Sequence, residues 1–194
     1  DALIRQDAHE RGIALPDPGN YALAMVFLPP DTSKAALCME KMERIIEANG
    51  FQPLYWRDVP VQTDCLTESA FRTLPRIRQL IITRKNIPNG EIERRLYILR
   101  RRIENDIENH IDGSIPFFYI ASMSSRTVVY KGMLSGSRIA DFYPDLADQN
   151  CQSAFAIVHQ RFLTIEEPTW NLAQPLRYVA HNGYFNSVRG NKNH

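Results

Sequence analysis

The chain lacks the charge excess, the long apolar runs and the paired cysteines that mark three large classes of protein. Its 194 residues carry 23 Lys and Arg against 22 Asp and Glu, so no field of one sign draws or repels nucleic acid. No apolar run approaches the roughly 20 residues of a membrane-spanning helix, and the opening DALIRQDAHERG has neither the basic start nor the apolar middle of a secretion signal. A soluble, cytoplasmic protein with neither nucleic acid nor membrane as partner is expected. Cys38, Cys65 and Cys151 are far apart and form no CxxC pair, which argues against a zinc knuckle and a disulfide framework. Each is expected to pack as a small apolar group. Repeats, low-complexity tracts and Gly/Ser linkers are absent as well, so residues 1–194 are read as one domain.

What is present is an ordinary globular composition, 44% apolar and 23% charged, on a chain long enough to bury a substantial core. The run NYALAMVFL, closed by Pro29 and Pro30, predicts a strand buried on both faces. Residues 31–33 then offer N-caps, and Ala35, Cys38, Met39, Met42 and Ile46 recur at helical spacing until Asn49-Gly50 stops the helix. PLYWRDVPV reads as extended, TESAFRTL as a short helix ended by Pro75, and IRQLIIT as a strand.

The longest helix begins near Glu91, with Ile92, Leu96, Leu99, Ile103 and Ile107 in one apolar stripe. Its RR and RRR runs are interleaved with Glu91, Glu93, Glu104, Asp106 and Glu108, so they are read as a solvated face rather than a phosphate-binding one. Two strands are expected in FFYIAS and RTVVYKG, a small helical segment around SRIADFYPDL, and a further strand over SAFAIVHQRFL. A last short strand leads to the turn His181-Asn182-Gly183, where Asn and Gly reach positive φ at low cost. This mixture of elements implies an α+β layered fold.

Five stretches, ERRLYILRRRIE, SSRTVVYKGML, FYPDLAD, VHQRF and PTWNLAQPLRYVAHNG, occur in an order and spacing that resembles the glutaminase domain of glutamate synthases, the class II (N-terminal nucleophile) glutamine amidotransferases. The resemblance runs from about residue 20 to 191. It implies a four-layer α/β/β/α sandwich of the N-terminal nucleophile hydrolase type, and glutamine as the molecule bound. It also implies a nucleophilic cysteine at the mature N-terminus whose α-amine serves as base. By the same resemblance, the side-chain amide of Asn182 and the backbone N–H of Gly183 form the oxyanion hole. Arg161 grips the substrate α-carboxylate through a bidentate pair, with Thr164 beside it in the pocket. His181 is read as a turn-stabilising group rather than a base. No metal site is expected. Flavin mononucleotide and an iron–sulfur cluster belong to a distant part of a parent glutamate synthase, whose remaining domains are expected as partners.

The sequence also departs from that family. Where members read R-F-S-T-N-T, this chain has Leu163 and Ile165 around Thr164, and Tyr184 and Phe185 follow the oxyanion turn where N-G-E-I-N-T is usual. Asp1 falls inside the family's domain, past the terminal cysteine, and none of the three cysteines matches the nucleophile. The acidic residue that anchors the substrate amino group lies beyond His194. The expectation is thus a single partial domain, inactive by itself, taken from a parent that hydrolyses glutamine and passes ammonia on for glutamate synthesis from 2-oxoglutarate. The alternative is a catalytically inactive relative that binds an amino acid or a protein. Sheet edges and faces left uncovered by the missing strands predict self-association, a homo-oligomer among its forms.

Overall fold

A computed structural model describes residues 1–84, 87–110, 118–159 and 168–175. The chain divides into two compact units, Asp1–Val59 with Pro75–Val129, and Pro60–Leu74 with Tyr130–His194. Helices and an antiparallel sheet together make the fold α+β.

The first unit is built on β1 (Tyr21–Leu28), β2 (Phe51–Asp58), β3 (Arg76–Arg84) and β4 (Tyr119–Ser124), in the order β2-β3-β1-β4 with every pair antiparallel. All eight residues of β1 are buried, as its unbroken apolar run predicts. The pleat sends Ala22, Ala24, Val26 and Leu28 to one face, where they join Leu80 and Ile82 of β3. Two helices close that face. In α2 (Thr32–Ala48), Cys38, Met42 and Ile46 point inward; in α4 (Ile92–His110), Leu96, Leu99, Ile103 and Ile107 do, each at most 1% exposed. Each such side chain contributes roughly 1.5–3 kcal/mol by leaving water. Asp31 caps α2 by accepting from the Lys34 amide at 2.8 Å, and Gly50, at φ +81°, takes the left-handed turn after its end. On the edge strand β2, Pro53 sits where the pairing register shifts, a place where its missing N–H costs no regular ladder bond.

The opposite face carries an element that periodicity did not suggest, α1 (Ala2–Glu10). Only Ile4 and Ala8 of it are buried, Ile4 against Tyr21, Leu23 and Ile81. Polar contacts supply the rest of its hold. Arg57 of β2, 6% exposed, donates to Asp7 at 3.3 Å and to the Gln79 side-chain oxygen at 2.9 Å, while Arg11 reaches Asp7 at 2.8 Å.

Two expected strands are corrected. Residues 126–132 form none, because the amides that a ladder needs are taken by side chains: Arg126 and Thr127 donate to Ser124 Oγ, at 3.0 and 3.1 Å, and Val129 donates to Ser122 Oγ at 3.1 Å. Residues 153–159 are likewise irregular. Phe155 and Val158 are 63% and 71% exposed, and no described strand forms a ladder with this stretch. The expected strand's remaining residues, and the last strand before the His181 turn, lie outside the described residues.

Among its described residues the second unit has short elements: α3 (Glu68–Arg72), capped by Thr67 Oγ1 on the Ala70 amide, and α5 (Ile139–Phe142), flanked by 3-10 turns at Gly136–Arg138 and Pro144–Ala147. A further 3-10 turn, Thr63–Cys65, precedes α3, and the Gln62 amide donates to the Phe142 carbonyl at 2.9 Å.

Candidate functional site

Three of the motif stretches, around Tyr130-Lys131-Gly132, Phe142-Tyr143-Pro144-Asp145 and Trp170-Asn171, meet in the second unit. Lys131 is only 1% exposed, and its ammonium donates to the Asn171 carbonyl at 3.0 Å. A buried cation without such acceptors would cost several kcal/mol. The Tyr143 hydroxyl returns a hydrogen bond to the Lys131 carbonyl at 2.8 Å, and the Tyr130 hydroxyl donates to the Asp145 carboxylate at 2.8 Å. Burial pushes the Tyr143 phenol well above its ordinary range, with Tyr130 and Asp145 acting in the same direction, so it stays a donor.

Rings fill the space between these polar links. Tyr143 stands edge-on to both Tyr130 and Phe142, with centroids 5.0 and 4.6 Å away, and Phe142 lies 5.6 Å from Trp170. The Trp170 indole N–H donates to the Ala70 carbonyl of α3 at 3.2 Å. Gly132 makes this packing possible. A Cβ there would stand 2.7 Å from Trp170 Cζ3 and 2.8 Å from Leu134 Cδ2, inside any tolerable contact. The cluster therefore fixes residues 168–175, which precede Asn182 by seven positions in the chain.

Arg161, Thr164, Asn182 and Gly183 lie outside the described residues, as do Leu163, Ile165, His181, Tyr184 and Phe185. The three thiols can be placed. Cys38 is fully buried in the core under α2, and that burial pushes its thiol up to about 11, the reverse of what a nucleophile requires. Cys65 lies in the turn before α3, with its sulfur 3.4 Å from the Gln62 carbonyl, and Cys151 is half-buried. Among the described residues, no group of three His, Cys, Asp or Glu could hold a metal ion, and no helix is long and apolar enough to cross a membrane.

Comparison with known proteins decides the family. The profile of the class II glutamine amidotransferases matches residues 1–194. The chain belongs to this family. Relatives of this amidotransferase chain include the glutamate synthase [NADPH] large chain of Azospirillum brasilense, 42% identical over 190 residues and 95% of the chain. The Bacillus subtilis (strain 168) glutamate synthase [NADPH] large chain is 38% identical over 196 residues, which is the whole of this chain. Ferredoxin-dependent glutamate synthase 2, chloroplastic, of Arabidopsis thaliana is 38% identical over 192 residues, 98% of the chain. In each case the amidotransferase chain spans 12% of the relative's length.

The buried cluster is the part of this amidotransferase that the motifs contain without explaining. Lys131, Tyr143, Asp145 and Trp170 all fall inside the family stretches, yet sequence reasoning gives none of them a role. Gly132 next to a lysine in an apolar stretch is the available signal: glycine there marks a close approach, and the approaching group is Trp170.

Proposed function

We propose that the chain is part of the glutaminase domain of a glutamate synthase large subunit, one partial domain over 1–194 with the four-layer α/β/β/α architecture of N-terminal nucleophile hydrolases. The observation that carries this reading is the family match along the whole chain, together with glutamate synthase large chains as relatives at 38–42% identity. The substrate is glutamine, and the nucleophile is a cysteine at the mature N-terminus of the parent, because Cys38 is a core thiol and neither Cys65 nor Cys151 matches the position.

In the reaction the cysteine thiolate attacks the side-chain carbonyl carbon of glutamine, with its own α-amine taking the thiol proton. The tetrahedral oxyanion accepts hydrogen bonds from the Asn182 side-chain amide and the Gly183 N–H. The C–N bond breaks, the leaving nitrogen takes that proton, and ammonia departs. Water then hydrolyses the thioester to glutamate. Arg161 holds the α-carboxylate throughout, with Thr164 beside it. Ammonia passes to the remaining domains, which use it to make glutamate from 2-oxoglutarate. Flavin mononucleotide and an iron–sulfur cluster would supply the redox chemistry there, and no step assigned to this chain passes through them. Contacts with those domains and with further copies of the protein, and a cytoplasmic setting, belong to the same proposal.

Glutaminase kinetics on the intact protein test it. Asn182→Ala is expected to lower kcat by about 10²–10³ with KM little changed; an unaltered kcat removes Asn182 from the oxyanion hole. Calorimetry should show glutamine binding that Arg161→Ala abolishes. No heat with the unsubstituted protein would favour an inactive binding domain, with Leu163, Ile165, Tyr184 and Phe185 closing the pocket.

A further inference from the structure

The charges of α4 do not cancel evenly once their partners are traced. Arg95 pairs with Glu91 at 2.9 Å, and Arg100 and Arg101 both reach Glu104 at 2.8 Å. Lys41 of α2 faces Asp106 at 4.0 Å. Glu93 is occupied by the Ser124 and Ser125 hydroxyls and the Ser125 amide. Among the described residues, Arg94 has no carboxylate partner, and Arg102 meets the side-chain oxygen of Asn49, a neutral acceptor. The Asn49 amide is itself turned to the Ile45 carbonyl at 2.7 Å, which fixes the oxygen toward Arg102.

These two guanidiniums line one open groove of about 310 Å³ with Asn49, Ile98 and the Glu91–Arg95 pair. Arg94, Ile98 and Arg102 are spaced i, i+4, i+8, so they share one face of the helix, with the two arginine backbone positions about 12 Å apart along the axis. Ile98 is 40% exposed between them, and Tyr97 beside it is 55% exposed. An apolar side chain flanked by uncompensated arginines, with an aromatic next to it, has the composition of an interface centre rather than of ordinary solvated surface.

We propose that this face of α4 docks an acidic amphipathic helix of a protein partner, with two carboxylates spaced i, i+8 on Arg94 and Arg102 and an apolar residue at i+4 on Ile98. Charge complementarity selects the occupant. Two arginines whose backbone positions are about 12 Å apart along the helix, with an apolar contact midway, match a helical Glu-x3-Leu-x3-Glu stripe. A single small anion engages only one end of that pattern and leaves Ile98 unused.

The test is a titration of the full chain with a fluorescein-labelled helical peptide carrying Glu-x3-Leu-x3-Glu on one face, followed by anisotropy. Saturable binding is expected, weakened about tenfold or more by Arg94→Glu with Arg102→Glu and restored when the peptide's two Glu are exchanged for Lys. Circular dichroism of the double variant checks that the helix persists, which the exposure of both arginines favours. No saturable binding, or binding indifferent to the charge reversal, overturns the proposal. So does competition by single-stranded DNA or pyrophosphate at equal affinity, which would make the groove a general anion site. None of these outcomes touches the glutaminase reading, since α4 bears none of its site residues.

Discussion

The two units differ in what holds them. In the first, a sheet and two helices share an apolar layer in which position along a repeating pattern decides which side chains join it: every second residue of β1, every third or fourth of α4. Among the described residues of the second, short turns are joined by individual hydrogen bonds, among them Lys131 to Asn171, Tyr143 to Lys131, Tyr130 to Asp145 and Trp170 to Ala70. The difference teaches where substitutions are tolerated. A layer held by apolar area accepts another side chain of similar volume, whereas a cluster held by shape and direction accepts almost none.

The largest effect that would sharpen this contrast is loss of volume in the layer. Leu99→Ala is expected to remove about 2–5 kcal/mol of stability in denaturant unfolding, while Leu99→Met should cost less than about 1.5 kcal/mol. Next comes Gly132→Ala, the smallest possible addition, which should cost about 1–3 kcal/mol because Trp170 and Leu134 stand in the way. Trp170 fluorescence should shift to the red as the indole is displaced. Unchanged stability and emission in the Gly132→Ala variant would break the comparison, since the second unit would then be as plastic as the first.

Smaller effects come from the helix ends. Asp31→Ala and Thr67→Ala should each cost about 1 kcal/mol, one cap in each unit. Equal losses would show that the units differ in their interiors rather than in local helix chemistry. The smallest effect concerns α1. Burial raises the Asp7 carboxyl, but hydrogen bonds from Arg11 and Tyr55 and the charges of Arg11 and Arg57 outweigh it and hold the group below its usual range. A depressed carboxylate stabilises the folded state above its unfolded pKa, about 3.9, and loses that contribution as pH falls through the lower folded value. Acid should therefore loosen α1 below about pH 4, read by hydrogen exchange of its amides, and Asp7→Asn should already be loose at neutral pH.

The legible parts of the sequence are those where one physical rule decides. Unbroken apolar residues between turn signals mark β1, and a five-residue stripe marks α4, since burial alone selects both. The helix α1 was not legible because only Ile4 and Ala8 face inward, and its docking rests on Arg57, fifty residues further on, meeting Asp7. Residues 126–132 look like a strand by composition, and nothing local reveals that Ser122 and Ser124 take the amides. Of the candidate site, the family motifs single out Arg161, Thr164, Asn182 and Gly183, all outside the described residues. The same motifs contain Lys131, Tyr143 and Trp170 without showing that these three meet.

The hydrogen bond from Trp170 to the Ala70 carbonyl spans one hundred residues of chain. A ribosome adding about 5–20 residues per second needs about 5–20 s to make that interval. Residues 60–74 therefore leave the exit tunnel long before the indole that secures them exists. Over the same interval β3 and α4 are completed and can settle on the strand and helix already made. Assembly thus has a built-in order, in which the regular layer forms while α3 waits for Trp170.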